Sequence, residues 1–371
     1  MRDPFRVLVL TVVHDPEDAR IRHRQIPALL DAGFEVAYAA PFSAFNRTPP
    51  EGVRGVDVPR AQGRARLKGI QAARHVIRTF GATTDVILLH DPDLLLSAFT
   101  GQTQQATVVW DIHEDTAAAL SMRDWVPDPL RPLLQRSVRL GEKLAESRYH
   151  LLLAEHGYQD RFTQSHPVVP NSVRVPAQRP PAPGDERIVY LGKITRPRGG
   201  FDMIELARNL PEFTVEIIGP AESDVEPALR EAHEQGVINW LGFQPNSVAL
   251  PRLYGALAGL SMLHDEPNYA HSQPTKVIEY MAHGIPVITT PNKAPKELVT
   301  AAQSGAVIPF GDINAAATHI RQWATDEAER SRLGQSGYDY AATHLNWNRD
   351  ALDFVASIRA AREADLAKRA R

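Results

Sequence analysis

The chain has no cysteine among its 371 residues. Disulfides, thiolate nucleophiles and thiolate metal sites are therefore excluded. No apolar run approaches the roughly 20 residues that span a bilayer. The first six residues, from Met1 to Arg6, run into a strand pattern and lack a signal peptide's apolar stretch. Strong charge of either sign is also missing. The 41 basic and 44 acidic side chains leave a net charge of −3, which gives no general pull toward nucleic acid. The expectation is a cytoplasmic protein with no nucleic-acid partner, at most peripheral to the inner membrane face. Apolar content of 43 % and charged content of 23 % are those of an ordinary globular chain. The length exceeds one ordinary core and predicts two domains.

What is present is alternation. Short runs rich in Val, Ile and Leu stand at 7–13, 35–40, 86–90, 107–112 and 150–154, with helical patterns between them. One such helix is expected from about Ala19 to Asp31, with Gly33 just beyond. Continuous apolar strands separated by helices predict a parallel sheet covered on both faces. The proline-rich segment Val175 to Gly184 has no periodicity and reads as a linker. A second series follows at 187–192, 214–218, 237–241, 259–263, 285–289 and 306–309. The division expected is a first α/β domain over 1–172, a linker over 173–186 and a second α/β domain over 187–345. A helical tail over 346–371 would cross between them. Open α/β sheets bind ligands beyond the carboxyl ends of their strands. Two such domains facing each other would line one cleft, so residues just after strands are the candidates.

The most informative of these lie between His271 and Thr290. Ser272 can cap a helix, Pro274 suits a first turn, and Gly284 suits the left-handed position after the last one. A helix start attracts anions, because free N–H groups and the dipole point at the ligand. His271, Gln273 and Thr275 belong to the same stretch. Lys276 adds a cation there, and Glu279, three residues on, adds a carboxylate on the same side. The group suits a nucleotide diphosphate, with the carboxylate on the ribose hydroxyls. The plain alternative is a helix–strand unit with a solvated lysine and glutamate. The loop Gly192 to Gly200 carries Lys193, Arg196 and Arg198 between glycines and opens a helix. It is neither a dinucleotide fingerprint nor a Walker loop. It suits phosphate, or else is an exposed basic turn. Gly219, at the next strand end, joins the donor-side candidates.

In the first half, three strands end in histidine or acidic groups: His14, Asp15, Asp18 and Arg20; then His90, Asp91 and Asp93; then Asp111, His113 and Glu114. Singly each could be a cap or a surface loop; together they favour a site. The stretch Arg60 to Thr84 holds six cations and no acid, and its spacing is helical from Ile70. A solvated outer helix is the preferred reading, and peripheral contact of Arg60–Arg78 with anionic lipid is the alternative.

These features resemble glycosyltransferase family 4, the retaining GT-B sugar transferases. Asp18-x-Arg-Ile after the first strand, Asp111-Ile-His-Glu, Val169-Pro-Asn-Ser-Val and Tyr190-Leu-Gly-Lys through Arg198-Gly carry the resemblance. So do Trp240-Leu-Gly-Phe and, most specifically, Pro274-Thr-Lys-Val-Ile-Glu-Tyr-Met-Ala-His-Gly-Ile-Pro-Val-Ile. The resemblance implies two Rossmann-like domains and transfer of a sugar from a nucleotide diphosphate sugar, a UDP-sugar by preference, to a hydroxyl-bearing acceptor. It implies no metal and no cofactor. Asp91-Pro-Asp93 is similar to the Asp-X-Asp metal motif of another class of sugar transferase, but Asp93 also suits a helix cap. Glu279 matches the ribose-holding glutamate, Arg198 and Lys193 the diphosphate cations, and His113 the histidine that reaches the donor sugar. His14, Asp15, Arg20, Asp91 and Glu114 fall on the acceptor side. His271 stands where the family has a sugar-positioning glutamate, and Lys193 where it has an arginine. Two alternatives follow: an inactive or regulatory donor-binding homologue, and a sugar-nucleotide 2-epimerase.

Overall fold

The computed structural model describes residues 4–101, 103, 105–113, 131–269 and 274–371. The chain divides into two compact units. One comprises Met1–Asn171 with Asn348–Arg371, and the other Ser172–Trp347.

The first unit is built on β1 (Arg6–Leu10), β2 (Glu35–Ala40), β3 (Arg54–Asp57), β4 (Val86–Leu89), β5 (Thr107–Ile112) and β6 (His150–Leu153). They lie in the order β3-β2-β1-β4-β5-β6, and every pairing is parallel. β4 and β5 are buried along their whole length, as continuous apolar runs require. The predicted first helix is helical over 21–31, as a wide turn that passes into α1 (Ile26–Asp31). Asp18 opens it, since its Oδ1 accepts from the N–H groups of Arg20 at 2.8 Å and Ile21 at 3.0 Å. The sequence reading missed β3. It is a short edge strand of Arg, Gly, Val and Asp with three exposed residues, so it carries no apolar run.

The remaining helices of this unit include α2 (Phe42–Phe45), α3 (Arg66–Phe80), α4 (Asp93–Thr100) and α5 (Arg131–Arg148). From β1 the sheet grows through β2 and β3 in one direction, then from β4 to β6 in the other. Right-handed crossovers therefore put α1 and α2 on one face and α3, α4 and α5 on the other. Ala73, Val76 and Ile77 of α3, Leu94 and Ala98 of α4 and Ala145 of α5 share one core with β4 and β5.

The second unit repeats the plan with β7 (Arg187–Leu191), β8 (Thr214–Ile218), β9 (Asn239–Trp240), β10 (Ala258–Ser261), β11 (Val287–Thr289) and β12 (Gly305–Val307). Their order is β12-β11-β10-β7-β8-β9, again all parallel. The helices are α6 (Gly200–Asn209), α7 (Glu226–Glu234), α8 (Asn246–Ala249), α9 (Thr275–Ala282), α10 (Lys293–Ala302), α11 (Ile313–Thr325) and α12 (Glu327–His344). Gly284 has φ +69°, the left-handed turn expected at the end of α9. A last helix, α13 (Trp347–Arg369), leaves this unit at its first residue and belongs to the first unit from Asn348 on. Among the described residues no helix is long and apolar enough to cross a membrane. Both units are Rossmann-like, and in each the order reverses beside the first strand. That reversal, between β1 and β4 and between β7 and β10, is where such sheets bind ligands.

Candidate functional site

In the second unit α9 is fixed at this reversal by one side chain. Tyr280 is fully buried; its hydroxyl accepts from the Leu191 N–H at 2.9 Å and donates to the Leu260 carbonyl at 3.1 Å. It thus ties α9 to the carboxyl ends of β7 and β10. Lys276 stands one turn before Tyr280 on the same side of the helix. Its ammonium nitrogen lies 3.7 Å from the centre of the Tyr190 ring and is buried without a hydrogen bond to any described residue. Burial, then the nearby Arg198, holds its pKa well below the usual lysine value. Arg198 is half-buried, hydrogen-bonded to Tyr269 and beside Tyr190.

Gly192 and Gly219 complete the wall. A Cβ on Gly192 would lie 3.7 Å from the Lys276 ammonium. A Cβ on Gly219 would meet the Gly192 carbonyl oxygen at 2.0 Å, and φ of +147° at Gly219 disfavours any side chain. The Trp240 indole N–H donates to the Gly219 carbonyl at 3.0 Å, so the Trp240-Leu-Gly-Phe motif braces this corner. The structure thus groups Gly192, Gly219, Arg198, Lys276 and, one turn along α9, half-buried Glu279.

Lys193 is half exposed and pairs with Glu222 at 2.5 Å, an acid on the next loop that the sequence reading did not use and that also helps to raise the Arg198 pKa. One donor-side expectation is corrected. Pro274 does not sit in the first turn; it is the extended residue just before α9, and among the described residues no side chain caps that helix. Thr275 is the first helical residue. His271, Ser272 and Gln273 lie outside the described residues.

In the first unit β1 and β4 bring His14, His90 and Asp91 together, and β5 adds Asp111 and His113. His14 Nε2 lies 3.1 Å from His113 Nε2 and 3.2 Å from Asp91 Oδ1. Burial, reinforced by His14, pushes the His113 pKa down to about 3, so this ring is neutral at ordinary pH. Burial alone would raise the Asp18 carboxyl, but His14, His113 and the Ile21 N–H hold it below its usual value.

Two acceptor-side expectations are corrected here. Asp91 is 1 % exposed, and its Oδ2 accepts from Thr11 Oγ1 and from the backbone N–H groups of Val12 and Val13. It shapes the loop after β1 and has no free face for a substrate. Arg20 is equally internal. Its Nε and Nη2 donate to the two Asp111 oxygens at 2.7 and 2.6 Å, while other contacts reach Asn171 and the Val169 carbonyl. Asp111 also accepts from Gln25, and its Oδ2 lies 3.3 Å from His90 Nδ1. The sequence reading missed Gln25: five residues after Arg20, an α-helix would turn it to another face, and the wider turn over Ile21–Gln25 brings it round. Asp15 is partly exposed and faces Arg47 at 3.4 Å. Glu114 lies outside the described residues.

Ligand-type atoms of His90, Asp111 and His113 lie within 4.8 Å of one another. A cation would fit there poorly. Asp111 is already held by Arg20 and Gln25, and the adjoining guanidinium opposes a second positive charge. Nor do Asp91 and Asp93 form a pair, because Asp93 bonds to Arg66 at 2.8 Å and does not cap α4.

Residues 174–340 match the family model described as glycosyl transferases group 1. The matched segment covers β7–β12 and the helices between them, including the Arg198 loop and α9. Over 162 residues the chain is 28 % identical to WcaL of Escherichia coli strain K12, a protein provisionally named a colanic acid biosynthesis glycosyltransferase. That alignment covers 41 % of this chain and 39 % of WcaL. The chain therefore spans about two fifths of the length of this curated relative. The fold is GT-B. Sucrose-phosphate synthase from Thermosynechococcus elongatus superposes with a TM-score of 0.76 at 16 % identity, covering 97 % of this chain and 100 % of that one. HepE of Anabaena, solved with UDP-glucose, superposes with a TM-score of 0.71 at 13 % identity, covering 96 % and 99 %.

Proposed function

We propose that the protein is a retaining glycosyltransferase that moves a sugar from a nucleotide diphosphate sugar, a UDP-sugar by preference, to an acceptor hydroxyl. The observation that carries this reading is the buried Lys276 ammonium beside Arg198, at the reversal of the second unit's sheet. Two cations so placed repel each other and have left water; a diphosphate supplies the missing negative charge. The amides at the start of α9 add N–H groups to the same anion, and Glu279 accepts the ribose hydroxyls. As the sugar–oxygen bond breaks, charge grows on the leaving diphosphate, and cations already aimed there stabilise the transition state more than the ground state. Within the first unit, neutral His113, held by His14 across a 3.1 Å contact, is the residue we assign to a sugar substrate. The preference for UDP leans on the UDP-glucose complex of HepE, a fold relative.

A thermal-shift series tests this. UDP and UDP-sugars should raise the melting temperature, because a ligand of the native state adds stability in proportion to RT ln(1 + [L]/Kd). At about 100 Kd of ligand the gain is about 2.7 kcal/mol, or roughly 5–10 °C for a domain of this size. Uridine without phosphates should give little. No shift with any nucleotide diphosphate would overturn the reading.

Lys276→Met sharpens the test. Without ligand it should melt higher, by about 2–4 °C for each kcal/mol recovered, since a desolvated ammonium is removed and the stem volume kept. The sign follows from linkage. A lysine whose folded pKa is depressed costs stability below its unfolded pKa, and the cost fades as pH rises toward that value. The same variant should lose most of the UDP shift. A lower melting point with the UDP shift intact would remove Lys276 from the site. Turnover should also survive a chelator, since Arg198 and Lys276 provide the charge neutralisation. A strict requirement for magnesium or manganese would sink this part of the scheme.

A further inference from the structure

The two cations at the reversal of the second unit's sheet have different surroundings. Arg198 bonds to Tyr269; burial alone would lower its pKa, but Tyr190 and Tyr269 hold it above the usual value. Its charge is therefore fixed. The Lys276 nitrogen is shut off from water and has no hydrogen bond to any described residue. Its close neighbour is the Tyr190 ring, with the ring centre 3.7 Å away. An aromatic face attracts an ammonium, but it leaves three N–H donors without a conventional acceptor. Burying an ammonium in that state is costly, and burying the neutral amine costs far less.

The elements packed around this nitrogen bring it no counter-charge. On β7, burial raises the Tyr190 pKa, and its hydroxyl donates to the Lys193 carbonyl at 2.8 Å, so it stays a neutral phenol. On α9, burial likewise raises Tyr280, whose hydroxyl donates to the Leu260 carbonyl. Gly192, whose φ of +124° disfavours a side chain, adds only backbone. The turn before α6 adds Arg198, a like charge, with Tyr269 bonded to it. The nearest acids in these elements are Glu279, one turn along α9, and Glu222, which pairs with Lys193. Neither bonds to the Lys276 nitrogen.

We propose that binding of a nucleotide diphosphate is coupled to proton uptake at Lys276. In the free protein the side chain is a neutral amine folded against Tyr190. The diphosphate brings negative charge, and Lys276 takes one proton from solvent to become the ammonium that meets it. The lysine stem is flexible and only half-buried, so turning its last bonds brings the nitrogen off the ring to a phosphate oxygen. Arg198 is then the fixed charge of the site and Lys276 the conditional one. The inference rests on the nucleotide-diphosphate reading above and adds its control by pH. The sign follows from linkage. Burial, then Arg198, depresses the lysine pKa in the free protein, and a bound diphosphate raises it. Between the two values each binding event draws a proton from solvent, so affinity falls as pH rises, by up to about tenfold per pH unit. Below the lower value the lysine is already charged, and affinity no longer depends on its titration.

The test is calorimetric titration of the full chain with UDP-glucose, or with whichever nucleotide sugar gives the largest thermal shift. Repeating it in buffers of different ionisation enthalpy counts the protons. A nucleotide sugar has no phosphate proton to exchange near neutrality, so uptake belongs to the protein. Uptake should rise toward about one proton per ligand over about pH 7 to 8.5, with affinity falling in step. Lys276→Arg carries a guanidinium that keeps its proton, so it should bind with no uptake and with affinity flat over the same range. Lys276→Met should also show none, at the higher ligand concentrations its weaker binding needs. Melting curves confirm that each variant is folded. Binding by the parent protein without uptake overturns the proposal and leaves the donor reading standing. Uptake that persists in both variants assigns the proton to another group and overturns it too. No binding of any nucleoside diphosphate or its sugars removes the reading beneath it.

Discussion

Arg198→Ala should lower turnover by roughly 100-fold or more, the loss seen when a preorganised donor to a developing oxyanion is removed. Arg198 lies in the turn that opens α6, half-buried against Tyr190 and Tyr269. Burial alone would lower its pKa, and the two tyrosines hold it above the usual value, so the charge is permanent. In the proposed reaction it meets a diphosphate whose negative charge grows as the sugar departs. Its loss should therefore fall mainly on kcat, with a smaller change in the donor KM. Arg198→Lys should recover only part of the rate, because an ammonium cannot present the guanidinium's paired donors. The measurement is release of the nucleoside diphosphate under saturating donor, once thermal shift has identified that donor. Near-normal turnover in the alanine variant would remove Arg198 from the chemistry. A loss confined to KM would make it a binding residue only.

The residues that could be read from the sequence were those with a local signature. Apolar runs marked eleven of the strands, the inner ones because a parallel strand there is buried on both faces; β3, at an edge and made of Arg54, Gly55, Val56 and Asp57, left no such mark. Gly284 announced the end of α9 because only a left-handed turn fits there. Lys276 and Arg198 stood out as cations at helix starts. What the sequence could not show was which partner each charge had found. Lys193 and Arg198 look alike in a basic loop, yet Glu222 on the next loop takes the first and two tyrosines flank the second. Arg20 and Asp91 look like site residues at strand ends. Contacts with Asp111, 91 positions away, and with Thr11, 80 positions away, make them internal. Such pairings depend on strand order, and the reversal between β1 and β4 is written in no local pattern.

The internal role of Arg20 leads to the second large effect. Arg20→Ala should destabilise the protein by about 3–5 kcal/mol, because it leaves a buried carboxylate without its cation. Asp111 is 0 % exposed, and without Arg20 it would keep only the uncharged Gln25 amide and the His90 ring beside it. Burial by itself raises the Asp111 pKa, but Arg20, helped by His90, holds it well below the usual carboxylate range. A carboxyl whose folded pKa is depressed contributes stability above its unfolded pKa and loses it as pH falls through the folded value. In Arg20→Ala that contribution is gone, so the gap to the parent protein should be widest near neutral pH and shrink in acid, where Asp111 can protonate. Urea melts at several pH values would measure it. Adding Asp111→Asn should restore part of the loss, since the amide needs no counter-charge; a double-mutant cycle would then give a coupling of several kcal/mol between the two sites. Independent, additive losses would mean that the pair is not the clamp proposed. The pair also bears on the reaction. Asp111 is the last residue but one of β5, and His113 Nδ1 contacts the Asp111 carbonyl at 3.2 Å. With His113 in its proposed role, the double variant should fold yet turn over more slowly, a defect that added ligand would not repair.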